Sequence, residues 1–212
     1  MTERELAEHP LTSELAACGN LFHQWQWSLS SSSNYSALFD AESVIISRSG
    51  VDKQYMRSSD FMLVDLDAKA KSPFEAMRPS AETELHCHLY RVAGRQPHPM
   101  KAVLHTHSKF AVHYSRRYLS EGIVSFTGFE MQKIFEGVST HESMVTIPVF
   151  RNSQHMPEIT QAFDAYQDKH PFPPAYLIEG HGVYVWGKNV LHAKQKLEAL
   201  EYLMELKYME EK

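Results

Sequence analysis

Short apolar runs of strand length alternate with segments of helical period along the chain, and that alternation narrows the fold more than any single motif. Leu11, Leu15, Cys18, Phe22 and Trp25 recur at spacings that lay one face of a helix. The polar run Ser30–Asn34 should break that helix near Ser28 and form a connecting loop to the strand at Val44–Ser47, which Ser49-Gly50 then turns. Phe61–Val64 reads as a further strand. Pro79-Ser80 is expected to open a helix with Ser80 as its cap, Leu85, Leu89 and Val92 on its buried face, and Gly94 at its end. Ala102–Leu104, Ile123–Phe126, Met144–Phe150, Tyr176–Ile178 and Val183–Trp186 follow as strands. Between and after them come helices capped by Ser108, running from Phe129 to Glu136, started by Pro157, and closing the chain from about Val190. Strands and helices mixed in this way predict one α/β layered domain over residues 1–212.

Composition supports that frame and excludes several functions. With 212 residues, 43% of them hydrophobic, the chain can close a core without disulfide or metal staples. Cys18 and Cys87 are its two cysteines, too few for a disulfide framework, and they suit a reducing compartment. A net charge of −5 argues against a nucleic-acid partner, and no apolar stretch reaches membrane-spanning length. The charged N-terminus lacks the apolar core of a signal peptide, so the expectation is a cytoplasmic protein.

Thirteen histidines invite metal or proton chemistry. Two His-x-His pairs are present, and context separates them. His86-Cys87-His88 falls inside a predicted helix, where residues two apart point about 200° apart and cannot share an ion. His105-Thr106-His107 ends a strand, where residues two apart project from one face and can chelate a cation together. His181, between Gly180 and Gly182 at a strand-to-strand turn, is the candidate third ligand, because flanking glycines allow close backbone approach. Three histidines would leave a coordination position open to substrate. For acid–base work Glu82 and Glu130 each stand in the first turn of a predicted helix, as ordinary solvated helix-start carboxylates also do. Ser33-Asn34, Ser49-Gly50 with Lys53 nearby, and Ser80 offer hydroxyls and backbone N–H groups to an anion, and each is equally an ordinary turn or cap. No phosphate-cradling glycine loop or nucleophile elbow is present.

Taken in order, Ser32-Ser-Asn-Tyr-Ser36, Ser47-Arg-Ser-Gly-Val-Asp-Lys53, Arg78-Pro-Ser-Ala-Glu82, Ala102-Val-Leu-His-Thr-His-Ser108, Gly128-Phe-Glu-Met-Gln-Lys133, Ile147-Pro-Val-Phe150 and Gly180-His-Gly182 resemble the class II aldolase/adducin family over nearly the whole chain. The Ser-Gly-x-Asp-Lys and Glu-Met-Gln-Lys stretches resemble its branch that dehydrates 5-methylthioribulose 1-phosphate in methionine salvage. The resemblance implies an α/β/α sandwich around a mixed, largely antiparallel sheet, assembled as a homotetramer with sites near subunit boundaries. It makes His105, His107 and His181 the ligands of one catalytic Zn²⁺ and Glu130 the general acid/base. Aldolase relatives use the acid that falls at Glu82. Phosphate binding maps to Asn34, Ser49, Gly50 and Ser80, with Lys53 added on charge and position. Ser33 stands where relatives often carry Gly, and Ala81 replaces a second Ser. Family alternatives are cleavage or epimerisation at C4 of a sugar phosphate, and a non-catalytic adducin-like binding module.

Overall fold

The computed structural model describes residues 1–94 and 100–212. Its strands are β1 (Asn34–Asp40), β2 (Ser43–Ser47), β3 (Phe61–Asp65), β4 (Ala102–Thr106), β5 (Ile123–Phe126), β6 (Val145–Phe150), β7 (Ala175–Ile178) and β8 (Gly182–Gly187). Its helices are α1 (Glu3–Ala7), α2 (Pro10–Gln24), α3 (Thr83–Ala93), α4 (Lys109–Arg117), α5 (Met156–Gln167) and α6 (Val190–Glu210). The strands form one sheet in the order β3-β2-β1-β4-β8-β7-β6-β5, antiparallel throughout except between β6 and β7. The expected mixed, largely antiparallel sheet between helices is therefore present.

Both faces of the sheet are covered, and β1 shows how. Successive strand residues point to opposite faces. Tyr35 meets Phe22 of α2, with ring centroids 5.7 Å apart, whereas Asn34 and Ser36 on either side of it bond His86 of α3. α2 and α4 pack with α6 in one layer, while α3 and α5 pack together in the other. With both faces buried, the central strands read as continuous apolar runs: Val44, Ile45 and Ile46, and Val183, Tyr184 and Val185, are all inaccessible to solvent. At about 25 cal/mol per Å² of apolar surface removed from water, this double burial is the main force holding the sheet between its helices.

Three local expectations are corrected. The polar run is a loop only as far as Ser33, and the connection to Val44 then forms a strand, β1, that was not expected. Its polar members are spent on a buried hydrogen-bond cluster, so hydrophobicity alone does not reveal the strand. Ser80 does not cap α3. Glu82 occupies the N-cap, and Ser80 sits in the turn before it, where its carbonyl accepts bonds from the backbone N–H and hydroxyl of Thr83. The predicted helix at Phe129–Glu136 is a 3-10 turn, Glu130–Ile134, and Gly137 beyond it takes φ +79°. α2, α5 and α6 match their predicted segments, with Pro in the first turn of α5.

Candidate metal and acid–base site

The three histidines predicted as ligands converge. β4 ends at Thr106, which puts His105 and His107 on the same side of the strand, and β8 pairs with β4 in the register His105↔Tyr184. The turn between β7 and β8 delivers His181. Gly182 makes the approach possible, because a Cβ there would lie 2.0 Å from the Thr106 carbonyl oxygen, and Gly180 takes φ +62°. The Nε2 of His105 lies 2.8 Å from Nε2 of His107 and 3.3 Å from Nε2 of His181. A ligand nitrogen from each ring falls within 4.8 Å of the others.

The hydrogen bonds orient this donor set for a cation. His105 Nδ1 faces the Val183 carbonyl at 2.9 Å. A carbonyl only accepts, so Nδ1 carries the proton and Nε2 presents its lone pair to the centre. His181 is held from behind in the same way, with Nδ1 3.4 Å from Asn152 Oδ1. Burial keeps His105 neutral well below the usual histidine range, against the pull of Glu82. Burial likewise, helped by His181, takes His107 down to about 4. Neutral imidazole is the ligand form. The residues therefore fit a divalent cation.

Glu82 joins them. Its Oε1 is 2.7 Å from His181 Nε2 and its Oε2 is 3.3 Å from His105 Nε2. Asn34 Nδ2 and the Tyr184 hydroxyl donate to the same Oε2 at 2.6 and 2.8 Å. Burial opposes ionisation of Glu82. The imidazoles of His105 and His181 beside it, with the hydrogen bond from Asn34, outweigh it and hold the carboxyl well below the usual carboxylate range. Tyr184 and His86 were not singled out as site residues. Tyr184 could have been found, because its register partner is His105 and the two rings stack with centroids 4.1 Å apart. His86 and His88, set aside as satisfied helix histidines, are bonded to Ser36 with Asn34 and to Asp164 respectively.

Glu130 is not brought to the histidines within this chain. Its side chain is 69% exposed and pairs with Lys133 at 2.5 Å and His141 at 3.2 Å.

Among the phosphate candidates, a bridge between Arg48 and Pro79, with bonds from Ser49 N to Arg78 O and from Ser80 N to Ser47 O, sets Ser49-Gly50 beside Ser80. Gly50 takes φ +77°. Ser33 adopts φ +73°, so it supplies the left-handed backbone that a glycine would provide. Asn34, however, spends its side chain on Glu82 and His86. Lys53 is 1% exposed and donates to the carbonyls of Val51 and Ser31, tying two loops together. Burial lowers its ammonium to about 8.

Comparison with known proteins matches residues 13–208 to the class II aldolase and adducin N-terminal domain. The chain is 36% identical over 200 residues to the methylthioribulose-1-phosphate dehydratase of Sorangium cellulosum, covering 94% of this chain and 92% of that one. It is 38% identical over 191 residues to the enzyme of the same name from Marinobacter nauticus, covering 90% and 89%. With that of Xanthomonas campestris the identity is 42% over 178 residues, covering 84% and 79%. Among solved structures, L-fuculose-1-phosphate aldolase from Thermus thermophilus superposes with TM-score 0.71 at 19% identity, covering 93% of this chain and 92% of that one. YgbL from Escherichia coli superposes with TM-score 0.76 at 22% identity, covering 98% and 90%.

Proposed function

The chain belongs to the class II aldolase and adducin family, and from that premise we propose that it dehydrates 5-methylthioribulose 1-phosphate to 2,3-diketo-5-methylthiopentyl 1-phosphate, a hydro-lyase step of methionine salvage. The observation that carries the proposal is a carboxylate in contact with two of three convergent imidazoles, in a chain that aligns with dehydratases over most of both lengths. His105, His107 and His181 would hold the cation, which we take to be Zn²⁺ because a three-imidazole set with room for substrate is a common catalytic zinc arrangement. When bound, such a cation supplies Lewis-acid stabilisation of the negative charge that grows as the carbon beside the ketone loses its proton.

The chain's own residues do the rest. The C3–H and C4–OH bonds break, a C3=C4 double bond forms, and one water leaves. The resulting C3 enol then tautomerises to the second ketone. Glu82 is the carboxylate in position to take the C3 proton and return it to the departing hydroxyl. Oε2 accepts from both Asn34 and Tyr184, so Oε1, whose one close neighbour is His181 Nε2 at 2.7 Å, is the oxygen we assign as the base. Glu130 enters on the family pattern alone. An exposed carboxylate can serve such a site across a subunit boundary, and we propose a cytoplasmic homotetramer with sites near those boundaries. Ser49, Gly50 and Ser80, side by side, are the proposed phosphate contacts. Lys53 supports their loop from beneath, and Asn34 serves the carboxylate.

The deciding experiment follows diketone formation from methylthioribulose 1-phosphate by zinc-loaded protein. Turnover abolished by chelation and restored by Zn²⁺ is the expected result. Cleavage of the C3–C4 bond would instead make the chain an aldolase, and absence of any stoichiometric divalent ion from active protein would refute the metal assignment.

A further inference from the structure

A continuous file of buried hydrogen bonds runs from α3 through β1 to the site carboxylate, and the donor at every step is forced. Glu82 Oε2 can only accept, so the group of Asn34 that faces it at 2.6 Å is the amide NH₂. The other end of that amide, Oδ1, is then an acceptor. It meets Nε2 of His86, which must carry the ring proton. His86 is fully buried, and burial lowers it to about 3, so it holds one proton only and Nδ1 is a bare lone pair. Ser36 therefore donates its hydroxyl to Nδ1 at 2.7 Å, and Tyr90 donates to Ser36 Oγ at 2.8 Å. Ser36, His86, Asn34 and Tyr90 are all buried, and Tyr184 closes the set by donating to Glu82 and packing edge-on against the His86 ring, centroids 5.5 Å apart.

We propose that His86 is a positioning residue of the acid–base site, acting through Asn34. Its fixed tautomer sets which way the Asn34 amide points, and the amide in turn fixes the plane of the Glu82 carboxylate and holds Oε1 on the side of His181, at the three histidines. Without His86 the amide can rotate and turn its oxygen toward Glu82, acceptor against acceptor. The proposal rests on the dehydratase reading of the site for its kinetic test and on the folded protein alone for its spectroscopic one.

His86→Leu should lower kcat about tenfold, the worth of one buried hydrogen bond, with KM and bound metal changed by less than about twofold. In His86→Gln the side-chain amide can reach the Nε2 position and donate to Asn34 Oδ1, and most of the lost kcat should return. Added to Asn34→Ala, His86→Leu should cost nothing more, because its effect passes through Asn34. Wild-type kcat in His86→Leu, an undiminished cost in the Asn34→Ala background, or no rescue by Gln would each overturn the proposal. Should His86→Leu fail to fold, ¹⁵N NMR of histidine-labelled wild-type protein, as purified, decides it. The expected spectrum shows His86 protonated at Nε2 with a bare Nδ1, and an Nδ1–H ring refutes the file. That spectrum needs no turnover, so it stands whether or not methylthioribulose 1-phosphate proves to be the substrate.

Discussion

Two glutamates compete for one role, and their surroundings differ sharply. Glu82 is 13% exposed at the side chain and touches two of the three histidines, whereas Glu130 is 69% exposed and paired with Lys133. Glu82→Gln keeps the shape and removes the base, so kcat should fall by about 10²–10⁴-fold with metal content preserved. Glu130→Gln should cost less. A larger loss for Glu130→Gln, measured on metal-replete protein, would transfer the proton-handling role to that residue. At this scale the convergence of His105 and His107 was legible from the order of residues, because alternation along a strand is a local rule and two histidines at its end share a face. The contact between Glu82 and His181 was not legible, since 99 positions separate them and only the packing of α3 on the sheet closes the gap.

Elements meet at close quarters around the site, and two substitutions probe those meetings. In Gly182→Ala the new methyl would fall 2.0 Å from the Thr106 carbonyl and 3.2 Å from His107 Cα, so β8 and β4 must separate. A loss of about 1–3 kcal/mol in denaturant unfolding and weaker metal binding are expected together. Beneath the other face, Ser108 caps α4, accepting from Ala111 N at 3.0 Å, and donates to Glu201 of α6 at 2.7 Å. Burial raises Glu201 to about 8, from an ordinary value of 4.5. Its folded pKa lies above its unfolded one, so it withdraws stability as pH rises through that interval. Glu201→Gln should therefore raise Tm at pH 8 by several degrees and leave it nearly unchanged at pH 4, as scanning calorimetry would report. Helix existence was readable from period and caps in α2, α5 and α6. β1 was not, because Asn34 and Ser36 look like loop residues until His86 is seen to bury them.

At the scale of the whole molecule, buried neutral histidines set the acid limit. His86 is lowered to about 3 and His107 to about 4, both by burial, from the ordinary 6.5. In that interval the unfolded chain takes protons that the folded chain refuses, so stability present above pH 6.5 drains away as pH falls toward 4. The Tm of metal-free protein should drop steadily across that window, and a flat profile would contradict the burial of these rings. The layered α/β class, the pairing of His105 with His107 and the placing of His181 between its glycines can be read from the order of residues, because each follows from spacing within a few residues. Which carboxylate stands at the histidines, the burial of Lys53 and the bond from Asn34 to Glu82 emerge only in the packed chain. Those outcomes depend on which strands become neighbours across the sheet and on which helix covers each face. Such pairings are settled by the collective burial of apolar surface and leave no mark on the local order of residues.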